Sequence, residues 1–323
     1  MSFFWRRAAH GILLAFAVSL LSFGLFELVP GDFFDEMRLN PQISPATVAA
    51  QRARYGMDRP LPERYARWLL SVSRGEMGYS FAYGSPVGPL LRDRALHTLA
   101  LAGTATLLAW LIAIPVGVFG AARRGRWPDR ISSAGTSLLL AVPDVVIALG
   151  LLLLAVRTGA FPVGGMRSPG FSDLGPWGQA WDLVSHAALP VSALVLGALP
   201  VLVRHVRASM IEALSSPFAR AARGHGIPRR RLLFHHALPA AAKPVLALVG
   251  FSVASLLSMS LLVEVVMSWP GLGPLLLEAI LARDLYVVVG AVVVSTVFLL
   301  AGNLVADLLL YAADPRIRTE TLR

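Results

Sequence analysis

Six long apolar segments constrain this chain more than any other feature of it. They run over 11–29, 95–122, 131–156, 187–203, 244–268 and 285–313. A bilayer core ~30 Å thick takes about 20 apolar residues to cross in a helix. In lipid a spanning backbone must satisfy its own N–H and C=O groups, and apolar runs of this length do so as helices. The expected fold class is an all-α integral membrane protein with six transmembrane helices. Composition agrees, since only 15% of the residues are charged, against about 25% in a soluble domain. The fourth segment is the shortest and carries Pro190 and Pro200, which neighbouring helices can accommodate. Arg6 and Arg7 precede the first, as in a signal peptide. Its apolar run is longer than a usual signal core, and no small-x-small cleavage site comes before Pro30, so it reads as a retained helix.

Arginine sets the direction. The net charge is +10, and Lys243 is the one lysine among the basic residues. With the N-terminus inside, the inner segments hold Arg6 and Arg7, then Arg123, Arg124, Arg126 and Arg130. They also hold the basic residues from Arg204 to Lys243, and Arg316, Arg318 and Arg323. The two short outer segments hold only Arg157, Arg167 and Arg283. This is the positive-inside pattern of a multi-pass protein with both termini cytoplasmic. So basic a chain raises nucleic acid as a partner, but basic loops facing membrane lipid explain the charge, and no nucleic-acid partner is expected. Cysteine is absent, which excludes disulfides, thiol catalysis and Cys-based metal sites.

Four regions follow: an N-terminal transmembrane helix (1–29), an extracytoplasmic cap (30–94), a permease-like core of five helices (95–313) with a cytoplasmic loop at 204–243, and a cytoplasmic tail (314–323). The cap carries turn signals at Pro30-Gly31, Asn40-Pro41 and Pro60-Leu61-Pro62. Its stretch from Glu63 to Val72 places Tyr65, Trp68, Leu69 and Val72 on one helical face, so a small cap with a helix or two is expected. The segment 157–184, rich in Gly, Pro and Trp, suits the membrane interface.

The inner loop "FARAARGHGIPRRRLLFHHALP" (218–239) is the part with a job. Ser216-Pro217 is a helix start, a Ser N-cap with proline at the first helical position. Gly224 or Gly226 supplies the stop. A helix of about two turns is marginal by itself and needs a surface to pack against. Phe218, Ala221 and Ala222 share a face that His225 extends, and Arg220 and Arg223 flank it. An aromatic anchor beside two alanines suits close docking in a groove of another protein. Pro228 opens a second helix whose Arg229, Arg230 and Arg231 fix topology and meet anionic lipid.

This stretch resembles the cytoplasmic signature of binding-protein-dependent ABC transporter permeases, written EAA, three residues, G, nine residues, I-x-L-P. Ala221-Ala222, Gly226 and Leu238-Pro239 fall in register. Arg220 replaces the signature's Glu and His236 its Ile, as in the peptide and nickel subgroup. The stretches at 55–69, 74–87, 263–284 and "DPRIR" at 314–318 are also similar to that subgroup, in order. The chain is identified as a member of it, a B-type subunit of a dipeptide or oligopeptide importer. The resemblance implies the type I permease architecture and residence in the bacterial inner membrane. It implies three kinds of partner: a second permease subunit, two cytoplasmic ATPases, and an extracytoplasmic substrate-binding protein. ATP and Mg belong to the ATPases, and this chain holds no cofactor. Phe218, Arg220, Ala221, Ala222, Arg223 and Gly226 become the residues that couple it to them. A nickel, glutathione or other small-solute importer is the alternative within the subgroup; a stand-alone channel or a membrane enzyme is the alternative outside it.

No P-loop is present, so the chain is not itself the ATPase. No catalytic residue is assigned, because no Ser-His-Asp, H-E-x-x-H or paired-carboxylate pattern stands out. No metal site is assigned either. His235 and His236 point about 100° apart on a helix and chelate poorly, and His97 and His186 sit at outer span starts. Asp144, inside the third span, is costly in hydrocarbon. It either lines the translocation path or is a buried carboxylate bonded to a neighbouring helix. Glu27, Glu264 and Asp307, near span ends, read as interfacial or paired. Trp269, Pro270 and Gly271 suggest an outer turn, and the architecture of such permeases makes them a candidate outer gate with "PLLLEAIL" dipping back toward the pore.

Overall fold

The computed structural model describes residues 2–28, 30–38 and 42–313. The expected turn at Asn40-Pro41, the similarity at 314–318 and the tail 314–323 lie outside the described residues. In chain order the elements are α1 (Ser2–Glu27), α2 (Phe33–Arg38), α3 (Pro45–Arg54), α4 (Leu61–Val72), β1 (Tyr79–Ser80) and β2 (Ser85–Pro86). Then come α5 (Val87–Ala122), α6 (Trp127–Ala141), α7 (Asp144–Thr158), a 3₁₀ turn (Phe171–Asp173), α8 (Pro176–Ser215), α9 (Pro217–Gly224) and α10 (Arg229–Arg231). A π-helical turn (Leu232–Ala237) leads into α11 (Leu238–Val266), followed by α12 (Leu272–Leu281) and α13 (Leu285–Ala313).

Among the described residues five helices, α1, α5, α8, α11 and α13, are long and apolar enough to cross a bilayer. The pair α6 and α7 makes a sixth span when taken together. Here the structure corrects the sequence reading, which takes 131–156 as one helix: the pair is bent by 97° at its break. Pro143 has no N–H to continue the ladder and forces Val142 into extended conformation (φ −99°, ψ 123°), so the chain restarts at Asp144. The fourth span is likewise longer than its apolar run. α8 has 40 residues, with Pro190 and Pro200 inside it. Once nucleated, a helix gains a hydrogen bond with each added residue, whether or not that residue is apolar.

The chain forms two compact units. One comprises residues 1–97 with 270–298. In it Tyr65 and Trp68 of α4 are buried with Phe23 of α1 and with Leu285 and Val289 of α13, and the Tyr65 hydroxyl meets Ser19 Oγ at 2.9 Å. Leu69, expected on the same face, is exposed. Among the described residues the segment 30–94 holds the short helices α2, α3 and α4, an antiparallel hairpin pairing Tyr79 with Pro86 and Ser80 with Ser85, and the first turns of α5. Behind the hairpin, Asp284 Oδ2 accepts hydrogen bonds from Ser80 Oγ at 2.6 Å and from the Ala82 N–H at 3.1 Å. Tyr83 donates to Glu278 of α12. Burial first, and then this carboxylate, push the Tyr83 hydroxyl up to about 12.

The other unit comprises residues 98–269 and the chain from 299. Its core sets small residues against large ones: Ala105, Ala109 and Ala113 of α5 and Ala148 and Ala155 of α7 meet Leu194, Leu202 and Val203 of α8 and Leu256 of α11. Small residues let helix backbones approach closely where lipid supplies no hydrophobic drive between them. Trp110 Nε1 donates to Ser252 Oγ at 2.9 Å, tying α5 to α11. Leu107, Leu111, Leu138 and Leu153 are exposed, as lipid-facing residues are.

Candidate functional site

The two-turn helix α9 is built by three local devices. At its start Ser216 Oγ accepts the Ala219 N–H at 3.4 Å, while its hydroxyl donates to Ala213 O at 2.6 Å. One side chain thus closes α8 and opens α9. At its end the Gly226 N–H bonds to Arg223 O at 3.0 Å and the Ile227 N–H to Ala222 O at 3.2 Å. That double bond is a Schellman motif, with Gly226 left-handed at φ +75°. Of the two glycines offered by the sequence, Gly226 is the stop and Gly224 is the last helical residue. Third, Arg223 reaches back, its Nε to Ala219 O at 3.2 Å and its Nη2 to Leu214 O at 3.0 Å.

Ala219 is fully buried, whereas Phe218 beside it is 44% exposed. Arg220, Ala221 and His225 are exposed with Phe218, and Ala222 is half-buried. The helix therefore packs inward through one alanine and presents an unpaired aromatic ring outward. Pro228, expected as the first residue of the next helix, is its N-cap.

Around α9 a buried cluster joins Val118 and Ala121 of α5, Val206, Met210 and Ala213 of α8, Leu233 and Ala237 of the π turn, and Ala241 and Val245 of α11. The Arg229 guanidinium donates to the Ala122 carbonyl at the end of α5. Arg207 of α8 grips Asp129 of α6 with both arms of its fork, Nε to Oδ1 at 2.6 Å and Nη2 to Oδ2 at 2.9 Å. The Gly125 N–H donates to the same carboxylate at 2.8 Å. Asp129 is 3% exposed. Sequence reading counts Arg207 only as a topology charge and misses this pair. Asp129 in the first turn after Trp127-Pro128 is a helix-start signal, but nothing local to it names its partner.

The other candidate residues are placed as follows. Asp144 opens α7, half-buried. A Cβ on Gly197 of α8 would lie 2.6 Å from its Oδ1 and 2.4 Å from Met259 Cε of α11, so the carboxylate is held against α8 where only glycine leaves room. Trp269 is buried among Val263 and Met267. It closes α11 through its N–H to Glu264 O at 2.8 Å, with Ser268 left-handed at φ 52°. Pro270 O accepts the His97 Nδ1–H at 2.8 Å, and Gly271 is the N-cap of α12. Glu264 is fully buried, and Glu27 pairs with Arg64 at 3.1 Å.

Residues 113–319 match the family of binding-protein-dependent transport system inner membrane components. Residues 1–102 match the N-terminal region of the same membrane components. An oligopeptide transport system permease protein, AppB, of Bacillus subtilis is 33% identical over 97% of this chain and 98% of its own length. The dipeptide transport system permease protein DppB of Escherichia coli is 34% identical over 98% and 99%. In solved structures, the inward-facing methionine transporter MetNI superposes with TM-score 0.57 at 19% identity, over 70% of this chain and 96% of that one. That likeness is one of fold.

Proposed function

This chain belongs to the binding-protein-dependent transport system inner membrane components, and we propose that it is the transmembrane permease subunit of a bacterial importer of dipeptides or oligopeptides. It is a transporter subunit and not an enzyme. Two cytoplasmic ATPases, binding ATP and Mg, seat α9 in a groove of their surface. A second permease subunit completes the translocation path, and an extracytoplasmic binding protein delivers cargo to the cap. Both termini are cytoplasmic. The observation that carries the reading is the exposed Phe218 on a doubly capped helix whose only buried side chain is Ala219.

The same geometry supports a route by which force would enter. α9 touches α8 and the π turn, and the π turn runs without a break into α11. A partner that moves α9 therefore moves the inner ends of two spanning helices together. Transport follows if the ATPases bind one arrangement of the bundle more tightly than the other. Asp144, against Gly197, lies on the path and meets the peptide amino terminus. Trp269, Pro270 and Gly271 form the outer gate. Copurification tests the reading: two ATPase chains travel with wild type, and Phe218→Glu releases them. Retention of both ATPases by Phe218→Glu contradicts it.

A further inference from the structure

The cap carries a cavity of about 230 Å³ whose charged wall is entirely cationic, formed by Arg59, Arg64 and Arg67. The remaining wall is largely aromatic, with Tyr55, Trp68, Tyr79 and Tyr286. Tyr55 and Tyr79 stack at 5.6 Å with rings 16° apart, and Trp68 is fixed by its Nε1–H to Met77 O at 3.1 Å. Glu63 engages Arg59 and Arg67 from outside the wall, at 2.7 and 2.9 Å, with one N–H from each. A guanidinium carries five N–H groups, so most of theirs stay available.

Arg64 is the telling residue. Its side chain is only 10% exposed and its Nη1 meets Glu27 at 3.1 Å, yet its buried Nε has no hydrogen-bond partner among the described residues. A buried charged donor left unsatisfied is costly. A larger cavity that shares Arg59 and Arg64 contains Asp32, Asp35 and Asp58, but Arg52 already bonds all three, at 2.9, 3.4 and 3.2 Å. Among the described residues no acceptor reaches the Arg64 Nε.

We propose that this cavity binds the carboxylate of a small organic acid with an apolar or aromatic body of single-residue size. Guanidinium forks match a carboxylate in two-point geometry. Four aromatic rings would be wasted on inorganic phosphate. The volume falls below the ~300 Å³ at which drug-sized ligand pockets begin, so the occupant is one residue and not a whole oligopeptide. That the acid is the C-terminal residue of a peptide rests on the reading of the chain as a peptide permease. The acid-binding site itself rests on cap residues and Tyr286 of α13.

The test uses the full chain in lipid nanodiscs and two probes, alanyl-phenylalanine and its C-terminal amide, titrated by calorimetry. The free acid binds once per chain, and the amide binds at least roughly tenfold more weakly, as loss of a charge-assisted bond requires. Because Arg64 also holds Glu27, the variants are Arg59→Gln and Arg67→Gln, at side chains 39% and 59% exposed. Each weakens the acid by roughly tenfold and leaves the amide unchanged. Equal binding of acid and amide overturns the proposal, as does no binding of either, or variants that bind like wild type. Uptake of the same peptide by the assembled transporter, measured in parallel, separates the two readings. Uptake without cap binding removes the site and leaves the transport reading standing, whereas binding without uptake keeps the site and removes this peptide as cargo.

Discussion

Arg207 and Asp129, 78 residues apart, form a two-pronged ion pair in which the carboxylate is all but sealed from solvent. It fastens the start of α6 to α8, whose C-terminal end leads into α9. Removing one partner of a buried pair strands the other, at a cost of about 3 kcal/mol. Arg207→Met therefore lowers thermal stability more than Asp129→Asn does, since it leaves an anion with only the Gly125 N–H. The double variant Asp129→Asn/Arg207→Met recovers part of the loss. Additive losses in thermal unfolding of detergent-solubilised protein would show that the two residues do not act as a pair.

Gly226 and Gly224 separate cleanly. At φ +75° Gly226 stands where a Cβ costs ~1 kcal/mol or more, whereas Gly224 lies in the helix with open space around its Cα. Gly226→Ala loosens the α9 stop and lowers ATP-driven uptake severalfold, and Gly226→Asn keeps most of it. Gly224→Ala leaves uptake unchanged, because alanine is the better helix former.

Asp144 and Gly197 are in contact, and the two substitutions give different readouts. Gly197→Ala places a methyl against Asp144 Oδ1 and the tip of Met259, so both side chains must shift, and destabilises the protein by no more than about 1 kcal/mol. Asp144→Asn preserves shape and removes charge. If the carboxylate meets cargo, it raises the half-saturating peptide concentration several-fold at unchanged stability. Unchanged uptake and selectivity would make Asp144 a structural residue only.

Tyr83 gives a pH dependence of known sign. Its hydroxyl is pushed from 10 up to about 12, so folding favours the neutral form. The stability this contributes is fully present below pH 10 and fades between pH 10 and about 12. Thermal unfolding of wild type and Tyr83→Phe should differ by a constant amount from pH 7 to 9.5, and the difference should shrink above pH 10. A difference that grows with pH contradicts the raised Tyr83 hydroxyl, whose first cause is burial and whose second is Glu278.

Local signals were legible in the chain and distant pairings were not. Ser216-Pro217 announces the start of α9 because capping chemistry is local, and Tyr65 with Trp68 announces a buried face because helical period is local. The break at Val142-Pro143 is written in the sequence, yet an unbroken apolar run hides it from any reading that weighs hydropathy first. α8 extends past its apolar window because hydrogen bonding, not hydropathy, propagates a helix. The Asp129–Arg207 and Tyr83–Glu278 pairs join residues 78 and 195 positions apart, and no single-chain pattern links them. The unsatisfied Nε of Arg64 is visible only once Glu27 has been placed beside it.

On the proposed reading α9 carries force from the ATPases into the bundle, and a photo-crosslinker at position 218 probes that contact. Benzoylphenylalanine at 218 should crosslink to an ATPase subunit in the transporting membrane, and the same group at Leu107, exposed within the apolar span α5, should not. ATP-driven uptake with no ATPase crosslink from 218, or from 221 tried alongside it, would contradict the account.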